Sequence, residues 1–478
     1  MRETLREVLE LAKARGAGYA DIRVVETRAE PITMRNGNVE RISTRTGRGA
    51  GLRVLVDGAW GFASPTSMNR EGLEEAVDLA VRVGRASARW KHGAGVELAS
   101  EPPHEDRWEN HVAKDPFEVK VEDKVELLTA ATRAMTEVPE IKVTGAQVDA
   151  WETKQLFAST EGSFIEQRKV ECGAGVMAVA RDGHDVQRRS FDDYESRGWE
   201  FVEGLDLVGR AGRLAREAAD LLKADVCPRG RTTYVAGGGM MALQIHESVG
   251  HPIELDRVLG TEATFAGTSF LTPAERGRFQ YGSPEVNLTA DATIEGGLGS
   301  FGYDDEGVPA QRSVIVEKGR FENFLMSRET ATMFGVRSNG TMRAVGAHNL
   351  PLIRMTNVNL EPGDWTFEEI IRDTREGVFV ETPKSWSLDD KRVNFHFGQE
   401  IAWEIKDGAL GRMLKNPAHT ALTPEFWGSM DAVAGRGKGE WKVHGTPGCA
   451  KGEPVQVIHV AHGAAPARFR NIKVGVGQ

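Results

Sequence analysis

An internal repeat in the first half of the chain is the feature that most restricts its fold. Each copy, at about residues 1–90 and 120–223, begins with a helical pattern, continues with alternating strands and ends with a second helix. Asn36-Gly37 and the Asp-Gly pairs at residues 57–58 and 182–183 are hairpin signals. Chance similarity is the competing interpretation, but the shared order favours duplication and predicts an antiparallel sheet with helices. Separate strands are expected near residues 20–26, 30–34, 142–148 and 155–158.

The pattern of predicted elements changes in the second half of the chain. The change follows a Pro- and Gly-containing segment at residues 224–230. We therefore expect an N-terminal α+β domain over residues 1–226 and a C-terminal domain over residues 227–478. Short strands with Gly turns predict a barrel or sandwich in the C-terminal domain, carrying one helix from about residue 240 to 259. The expected fold class is α+β, with two or three domains in 478 residues.

Composition excludes several classes of function. The net charge is −10 and no Lys/Arg cluster stands out, which argues against a nucleic-acid-binding protein. Three scattered cysteines are too few for a disulfide framework and fit a reducing compartment. The N-terminus lacks the unbroken apolar stretch of a signal peptide, and no apolar run is long enough to span a membrane. We expect a soluble cytoplasmic protein.

The segment His246-Glu247-Ser248-Val249-Gly250-His251 carries the clearest chemical signal. Zinc proteases use His-Glu-x-x-His, which places two imidazoles one helical turn apart beside a glutamate general base. Here one extra residue turns the second histidine about 140° around a regular helix. A single π-type turn with i→i+5 bonding would restack the two rings, and Gly250 and Pro252 would ease that distortion.

Two other interpretations of this region stay open at the level of the residues. Two histidines near a glutamate on a helix can be partly exposed polar residues that bind nothing. The glycines at residues 237–239 could cradle a phosphate. They are not followed by the Gly-Lys-Ser/Thr sequence that ends a P-loop, however, and they do not have the glycine spacing of the dinucleotide-binding fingerprint. A tight strand-to-helix turn is the better interpretation of these glycines.

Two histidines leave zinc short of ligands, so a third is required. Cys449 lies in a glycine-rich segment that can bring a thiolate to the metal, with Lys451 or the zinc itself favouring deprotonation. The alternative for a lone cysteine is a small buried apolar residue, which suits Cys172 and Cys227 better. The rival ligands in the same region are His444, His459 and His462.

Taken together with residues 246–251, several motifs of the second half resemble the TldD/PmbA family of peptidases. They occur in one chain and in the same order, and they cover most of the second half. The first half matches in its order of elements more than in specific motifs. The matching motifs lie at residues 301–307, 397–401, 412–417, 445–452 and 462–470.

The resemblance implies zinc held by His246, His251 and Cys449, with Glu247 activating the water. It implies hydrolysis of unfolded or extended peptides, or processing of small modified peptides, with the substrate bound through backbone pairing in an enclosed space between two subunits. The family also contains a related subunit type that lacks the histidine motif and pairs with the active type. This chain keeps all four positions, so the resemblance implies the catalytic type, in a homodimer or in a heterodimer with a PmbA-type subunit.

Some assignments remain open in the sequence. A non-catalytic peptide-binding or regulatory subunit is the alternative to a peptidase. The acidic run Asp304-Asp305-Glu306 is expected to be a solvated turn rather than a cation site. Four residues are candidates for stabilising the oxyanion of the reaction: Tyr303, Arg343, His348 and Arg354.

Overall fold

The computed structural model describes residues 1–90, 93–265 and 267–475. Its first part forms a single mixed sheet with helices packed on it. The strands are β1 (Tyr19–Arg35), β2 (Asn38–Ile42), β3 (Arg45–Val56), β4 (Ala59–Ala63), β5 (Glu105–Glu109), β6 (Ile141–Ser159), β7 (Phe164–Asp182) and β8 (Asp185–Glu195). The helices are α1 (Arg2–Ala14), α2 (Arg70–Ala88), α3 (Val121–Thr136), α4 (Trp199–Gly204) and α5 (Leu207–Lys223).

The two similar segments meet at the centre of this sheet. Strands β1 and β6 are antiparallel neighbours, paired from Asp21 opposite Ser159 to Arg35 opposite Gly145. Strands β3 and β4 extend the sheet on the β1 side, whereas β7 and β8 extend it on the β6 side. Apolar side chains of α1 and α2 pack on β1 and β3, and those of α3 and α5 pack on β6 and β7. Each segment therefore contributes one half of the sheet and its own apolar core.

The predicted breaks within the long strands are wrong. Residues 19–35 form one strand of 17 residues, and residues 141–159 form one of 19 residues. The backbone keeps pairing across the β1–β6 ladder through the residues where the strands were expected to be separate. The alternation is interrupted there because the side chains become partly exposed, while the main chain stays extended.

The C-terminal part is built around a closed five-stranded barrel, in which each strand pairs with two others of the ring. The barrel strands are β10 (Gly230–Ala236), β17 (Glu376–Leu388), β18 (Asn394–Lys406), β20 (Ala418–Leu422) and β24 (Ala467–Val474). The ring runs β17-β10-β24-β20-β18 and closes through β17 and β18. This barrel and the mixed sheet confirm the predicted α+β class.

Smaller sheets and short helices surround the barrel. One four-stranded sheet contains β11 (Leu288–Asp291), β12 (Arg312–Glu317), β13 (Arg320–Phe321) and β16 (Val358–Leu360). Two hairpins pair β14 (Met342–Arg343) with β15 (Leu352–Ile353) and β22 (Lys442–Lys451) with β23 (Gln456–Ala464). The short strands at the barrel margin are β9 (Asp225–Val226), β19 (Ala409–Lys415) and β21 (Met430–Val433). The helices are α6 (Gly238–Ile245), α7 (Leu255–Val258), α8 (Arg328–Ala331), α9 (Phe367–Arg372) and α10 (Thr423–Gly428).

Buried ion pairs join the N-terminal sheet to the C-terminal part. Asp305 lies 3.2 Å from Arg23 of β1, and Glu306 lies 3.1 Å from Arg53 of β3. Asp304 accepts hydrogen bonds from main-chain N–H groups instead. The expectation of a solvated turn at these three acids is therefore wrong, because all three side chains are buried. Paired or hydrogen-bonded partners offset the cost of burying their charge.

Across the described ranges, no helix is both long enough and apolar enough to cross a membrane.

Candidate metal centre

The predicted π-type turn is present at the histidine motif. Helix α6 is regular up to Ile245, and residues His246–Gly250 then form a π-helix. The N–H of His251 donates to the carbonyl oxygen of His246 at 3.2 Å, which is the i→i+5 bond that the spacing required. The extra residue is absorbed in this bulge, and the two imidazole rings lie edge to face with centroids 4.9 Å apart. The helix expected to continue to residue 259 is interrupted here, and only α7 resumes it.

Tight packing holds this bulge in place. A Cβ atom at Gly250 would lie 2.0 Å from Sδ of Met355, so this close contact requires glycine. The Ser248 hydroxyl donates to the carbonyl oxygen of Gln244 and accepts from Nε1 of Trp427. A fully buried bulge anchored in this way holds both histidines on one side of the helix.

The β22–β23 hairpin brings Cys449 to the two histidines. A bulge between Thr446 and Cys449 shifts the register of the hairpin, and the cysteine side chain is buried. One donor atom from each of His246, His251 and Cys449 lies within 4.8 Å of the other two, and Sγ of Cys449 is 4.0 Å from Nε2 of His251.

This donor set fits a zinc ion. Tetrahedral zinc with ordinary Zn–N and Zn–S bonds places its donor atoms about 3.3–3.6 Å apart. The distances between the three donor atoms would therefore need to shorten by about 1 Å for all three to bind one ion. Two imidazoles and one thiolate leave the fourth position open, as in catalytic zinc sites. No metal role is needed from the other cysteines, which lie buried elsewhere.

A hydrogen-bond chain fixes which nitrogen of His246 faces the metal position. His462 Nδ1 lies 2.8 Å from the carbonyl oxygen of Val358, so this nitrogen must carry the proton. Its unprotonated Nε2 then accepts from Nδ1 of His246 at 2.8 Å. The lone pair of His246 is thereby left on Nε2, the nitrogen available to a metal. His462, a rival ligand in the sequence, instead contacts the candidate ligand His246.

His251 is oriented by a carboxylate. Its Nδ1 lies 3.0 Å from Oε2 of Glu254, which leaves Nε2 for the metal. Glu254 is fully buried, with Arg257 at 3.8 Å and Lys451 at 3.5 Å. Lys451 donates to Asp256 at 2.6 Å and thus belongs to the Glu254 network. The suggestion that Lys451 favours the Cys449 thiolate is therefore not borne out by its contacts.

The three donors alter one another's protonation. Burial acts to raise the pKa of the Cys449 thiol, but the adjacent His246 and His251 outweigh it and lower that pKa well below its ordinary value. Burial also opposes a charge on His246, yet the Cys449 charge, helped by Glu247, raises its pKa. Burial lowers the pKa of His251 well below its ordinary value. A thiolate and a neutral imidazole are the forms that bind a metal.

Glu247 projects from the same bulge and forms a close ion pair with Arg392. Arg392 lies in the loop between β17 and β18, and 17% of its side chain is exposed. This contact was not found from the sequence, because the two residues are 145 positions apart and an arginine in a charged turn carries no distinguishing signal.

The other histidines of the hairpin lie outside the triad. His444 is opposite His462 in the ladder, and its Nε2 approaches the start of α6, 2.9 Å from where a Cβ at Gly238 would lie. His459 points to the N-terminal sheet, with Nδ1 2.9 Å from Glu171. Neither is among the convergent donors of the described residues.

Family models cover most of the chain. The C-terminal domain model of the PmbA/TldA metallopeptidases matches residues 229–475, domain 1 matches residues 20–84, and the central domain matches residues 114–225. The chain belongs to the PmbA/TldA metallopeptidase family.

Relatives within the PmbA/TldA family carry concordant names. A metalloprotease of Methanocaldococcus jannaschii is 31% identical over 87% of this chain and 89% of its own length. A protein of Saccharolobus solfataricus named zinc metalloprotease TldD homolog is 21% identical over 97% of this chain and 98% of its own length.

Solved structures share the PmbA/TldA fold at low identity. A Thermotoga maritima protein described as a putative modulator of a DNA gyrase has a TM-score of 0.80 at 19% identity, covering 99% of this chain and all of that one. TldE of Thermococcus kodakarensis has a TM-score of 0.77 at 17% identity, covering 98% of this chain and 99% of that one. These likenesses support the fold.

The four candidate oxyanion donors named from the sequence are engaged in other contacts of the PmbA/TldA fold. Tyr303 donates to Asp106 at 2.7 Å, and Nδ1 of His348 lies 2.6 Å from the Ser64 hydroxyl. The two arginines donate to main-chain carbonyl groups. Arg343 bonds those of Met355 and His459, and Arg354 bonds those of Cys449 and Gln456.

Proposed function

We propose that this chain is a zinc-dependent peptidase, with zinc held by His246, His251 and Cys449. The observation that carries the proposal is that three buried donor side chains converge beside Glu247, which lies on the π-type turn. Membership of a metallopeptidase family and the metalloprotease names of its relatives support it.

The residues would divide the chemistry between them. Zinc in this donor set supplies a positive charge that acidifies a water molecule and polarises the scissile carbonyl group. Glu247 takes the water proton and later delivers it to the leaving nitrogen. His462 and Glu254 hold the ligand imidazoles in the tautomer that leaves Nε2 free.

Unfolded or extended peptides are the proposed substrates. Strand β22, which carries Cys449, forms a ladder only with β23 among the described residues. An extended peptide that adds to a strand edge is recognised through its backbone, whatever its side chains. We further propose that the chain works in the cytoplasm with a second copy or with a related PmbA-type subunit.

Metal analysis combined with peptide hydrolysis tests this function. The wild type should cleave an unstructured peptide, lose activity with a chelator and recover it with zinc. Cys449→Ala and His251→Ala should lose zinc and activity together. Glu247→Gln should keep zinc while turnover falls about 10²–10⁴-fold.

The alternative function, a non-catalytic binding or regulatory subunit, gives a different result. Such a protein would bind peptides and cleave none, alone or with its related subunit, whatever its zinc content. Full activity of His251→Ala with normal zinc would also contradict the assigned ligand set.

A further inference from the structure

Arg392 is the one cation in the described residues that pairs with Glu247. Its Nη1 donates to Oε2 of Glu247, while its Nε is buried and has no hydrogen-bond partner among the described residues. A guanidinium carries five N–H donors, so this side chain retains donors beyond the ion pair. A buried donor without a partner is costly, and such a group in an active site calls for a functional explanation.

The guanidinium lies next to the metal position, because its partner Glu247 follows His246 directly on the π-type turn. Arg392 is therefore next to the group proposed to take the water proton. Arg354 also has a buried Nε without a partner among the described residues, but its other N–H groups bind main-chain carbonyl groups and not Glu247.

The loop that presents Arg392 is held in an unusual conformation. Arg392 has a φ of +63°, a left-handed geometry that non-glycine residues rarely adopt. Its N–H donates to the carbonyl oxygen of Asp389, and its own carbonyl oxygen accepts from the Thr423 hydroxyl at 2.7 Å. Main-chain bonds from Thr268 and Phe270 attach the loop to the segment that follows the metal-binding helix. Strain of this kind is typical of functional sites.

We propose that Arg392 is a catalytic residue that stabilises the carbonyl oxygen anion formed during peptide hydrolysis, an inference that rests on the proposed peptidase function. In the resting site its positive charge is balanced by the Glu247 carboxylate. When the water oxygen bonds to the carbonyl carbon, one water proton passes to Glu247 and the carbonyl π electrons move to the oxygen. Glu247 is then neutral, and the charge of Arg392 is free to pair with the new anion.

The second half of the reaction restores the starting pair. The electron pair on the oxygen re-forms the carbonyl group as the C–N bond breaks, and Glu247 returns its proton to the leaving nitrogen. The products are a carboxylic acid and an amine, and the Arg392–Glu247 ion pair is re-established. Because Arg392 is bound by Glu247 before the reaction and by the anion during it, its interaction with substrate strengthens in the transition state, as catalysis requires.

Kinetics on zinc-loaded variants test this role. Arg392→Ala should keep zinc and leave KM within a few-fold, while kcat falls about 10²–10³-fold, as for loss of one oxyanion donor. Added guanidinium ion should restore part of kcat, and Arg392→Lys should retain more activity than Arg392→Ala. The matched control is Lys391→Ala, which removes a positive charge from an exposed neighbour in the same loop and should behave as wild type.

Binding of a phosphinic peptide gives a readout that does not depend on turnover. Its anionic tetrahedral phosphorus mimics the reacting carbonyl, so Arg392→Ala should weaken its binding about as much as it lowers kcat. Binding of an uncleaved peptide, measured with Glu247→Gln in the background, should change little.

The outcomes separate this inference from the proposed function. An active wild type with an Arg392→Ala variant of near-normal kcat and normal phosphinate affinity overturns the role of Arg392 alone. Loss of zinc in Arg392→Ala, or a raised KM with unchanged kcat, overturns it as well. A zinc-loaded wild type that cleaves nothing overturns the peptidase function, and with it the catalytic role.

Discussion

Replacing His462 by leucine removes the acceptor that fixes the ligand tautomer of His246. In the structure Nε2 of His462 accepts a hydrogen bond from Nδ1–H of His246 at 2.8 Å, and Nδ1–H of His462 donates to the Val358 carbonyl oxygen, also at 2.8 Å. Leucine leaves the buried Nδ1–H without a partner, so the ring can turn or shift its proton to Nε2. Loss of such a supporting partner typically lowers metal affinity 10–100-fold, which is about 1.4–2.8 kcal/mol.

Competition with a chromophoric chelator at fixed pH measures this zinc affinity. His462→Gln is the matched control, because its side-chain oxygen can accept from His246 and its affinity should stay closer to wild type. His459 lies on the opposite face of β23, so His459→Leu should leave zinc affinity unchanged. Wild-type affinity in His462→Leu would refute the tautomer argument. A loss beyond about 10³-fold would instead identify His462 as a ligand in its own right.

Three further predictions concern the bulge, a buried histidine and the substrate. Gly250→Ala places a Cβ atom against Met355, so it should lower the free energy of unfolding by about 1–3 kcal/mol and reduce the zinc content. Gly239→Ala adds a Cβ atom in open space and should change neither quantity. Thermal unfolding and metal analysis of both variants test this prediction. Burial lowers the pKa of His419 to about 3, so the unfolded state binds more protons below pH 6.5 and the protein becomes less stable as the pH is lowered. Between pH 7.5 and pH 5.0, in the presence of chelator, the free energy of unfolding of the wild type should therefore fall by about 2 kcal/mol more than that of His419→Gln. Urea unfolding measures this difference, and equal decreases would contradict the argument. A small domain should resist cleavage when folded and be cut when a destabilising variant unfolds it; equal cleavage of both forms would argue against strand pairing.

The convergence of His246, His251 and Cys449 could be predicted from the sequence because their chemistry is local or rare. The spacing from His246 to His251 is incompatible with one face of a regular helix, and this alone called for the π-type turn that the structure contains. Cys449 was recognisable as a thiol in a glycine-rich segment. Glu254 was also within reach of sequence reasoning, since it follows His251 by three residues and a carboxylate commonly supports a ligand histidine.

The rest of the site depends on contacts between distant parts of the chain. Arg392 and Glu247 are 145 residues apart, and His462 and His246 are 216 apart, so no local pattern joins them. The prediction of a solvated turn at the acidic run 304–306 was wrong for the same reason. Its arginine partners Arg23 and Arg53 lie more than 250 residues away, and a charged turn before glycine resembles a solvated one.

The fold class followed from periodicity, but strand lengths did not. Alternation predicts which residues face a core, and it weakens where a strand runs beyond the helices that cover it, as in residues 19–35. The division of the chain after residue 226 stays a prediction, as does the assembly with a second subunit.

Diffraction from zinc-loaded crystals, recorded on both sides of the zinc absorption edge, tests the central claim most directly. The account predicts one strong anomalous peak beside the bulge, about 2.0–2.1 Å from Nε2 of His246 and of His251 and about 2.3 Å from Sγ of Cys449. A peak bound by His462 or His444 in place of one of these donors, or no peak in protein that cleaves peptides, would contradict it.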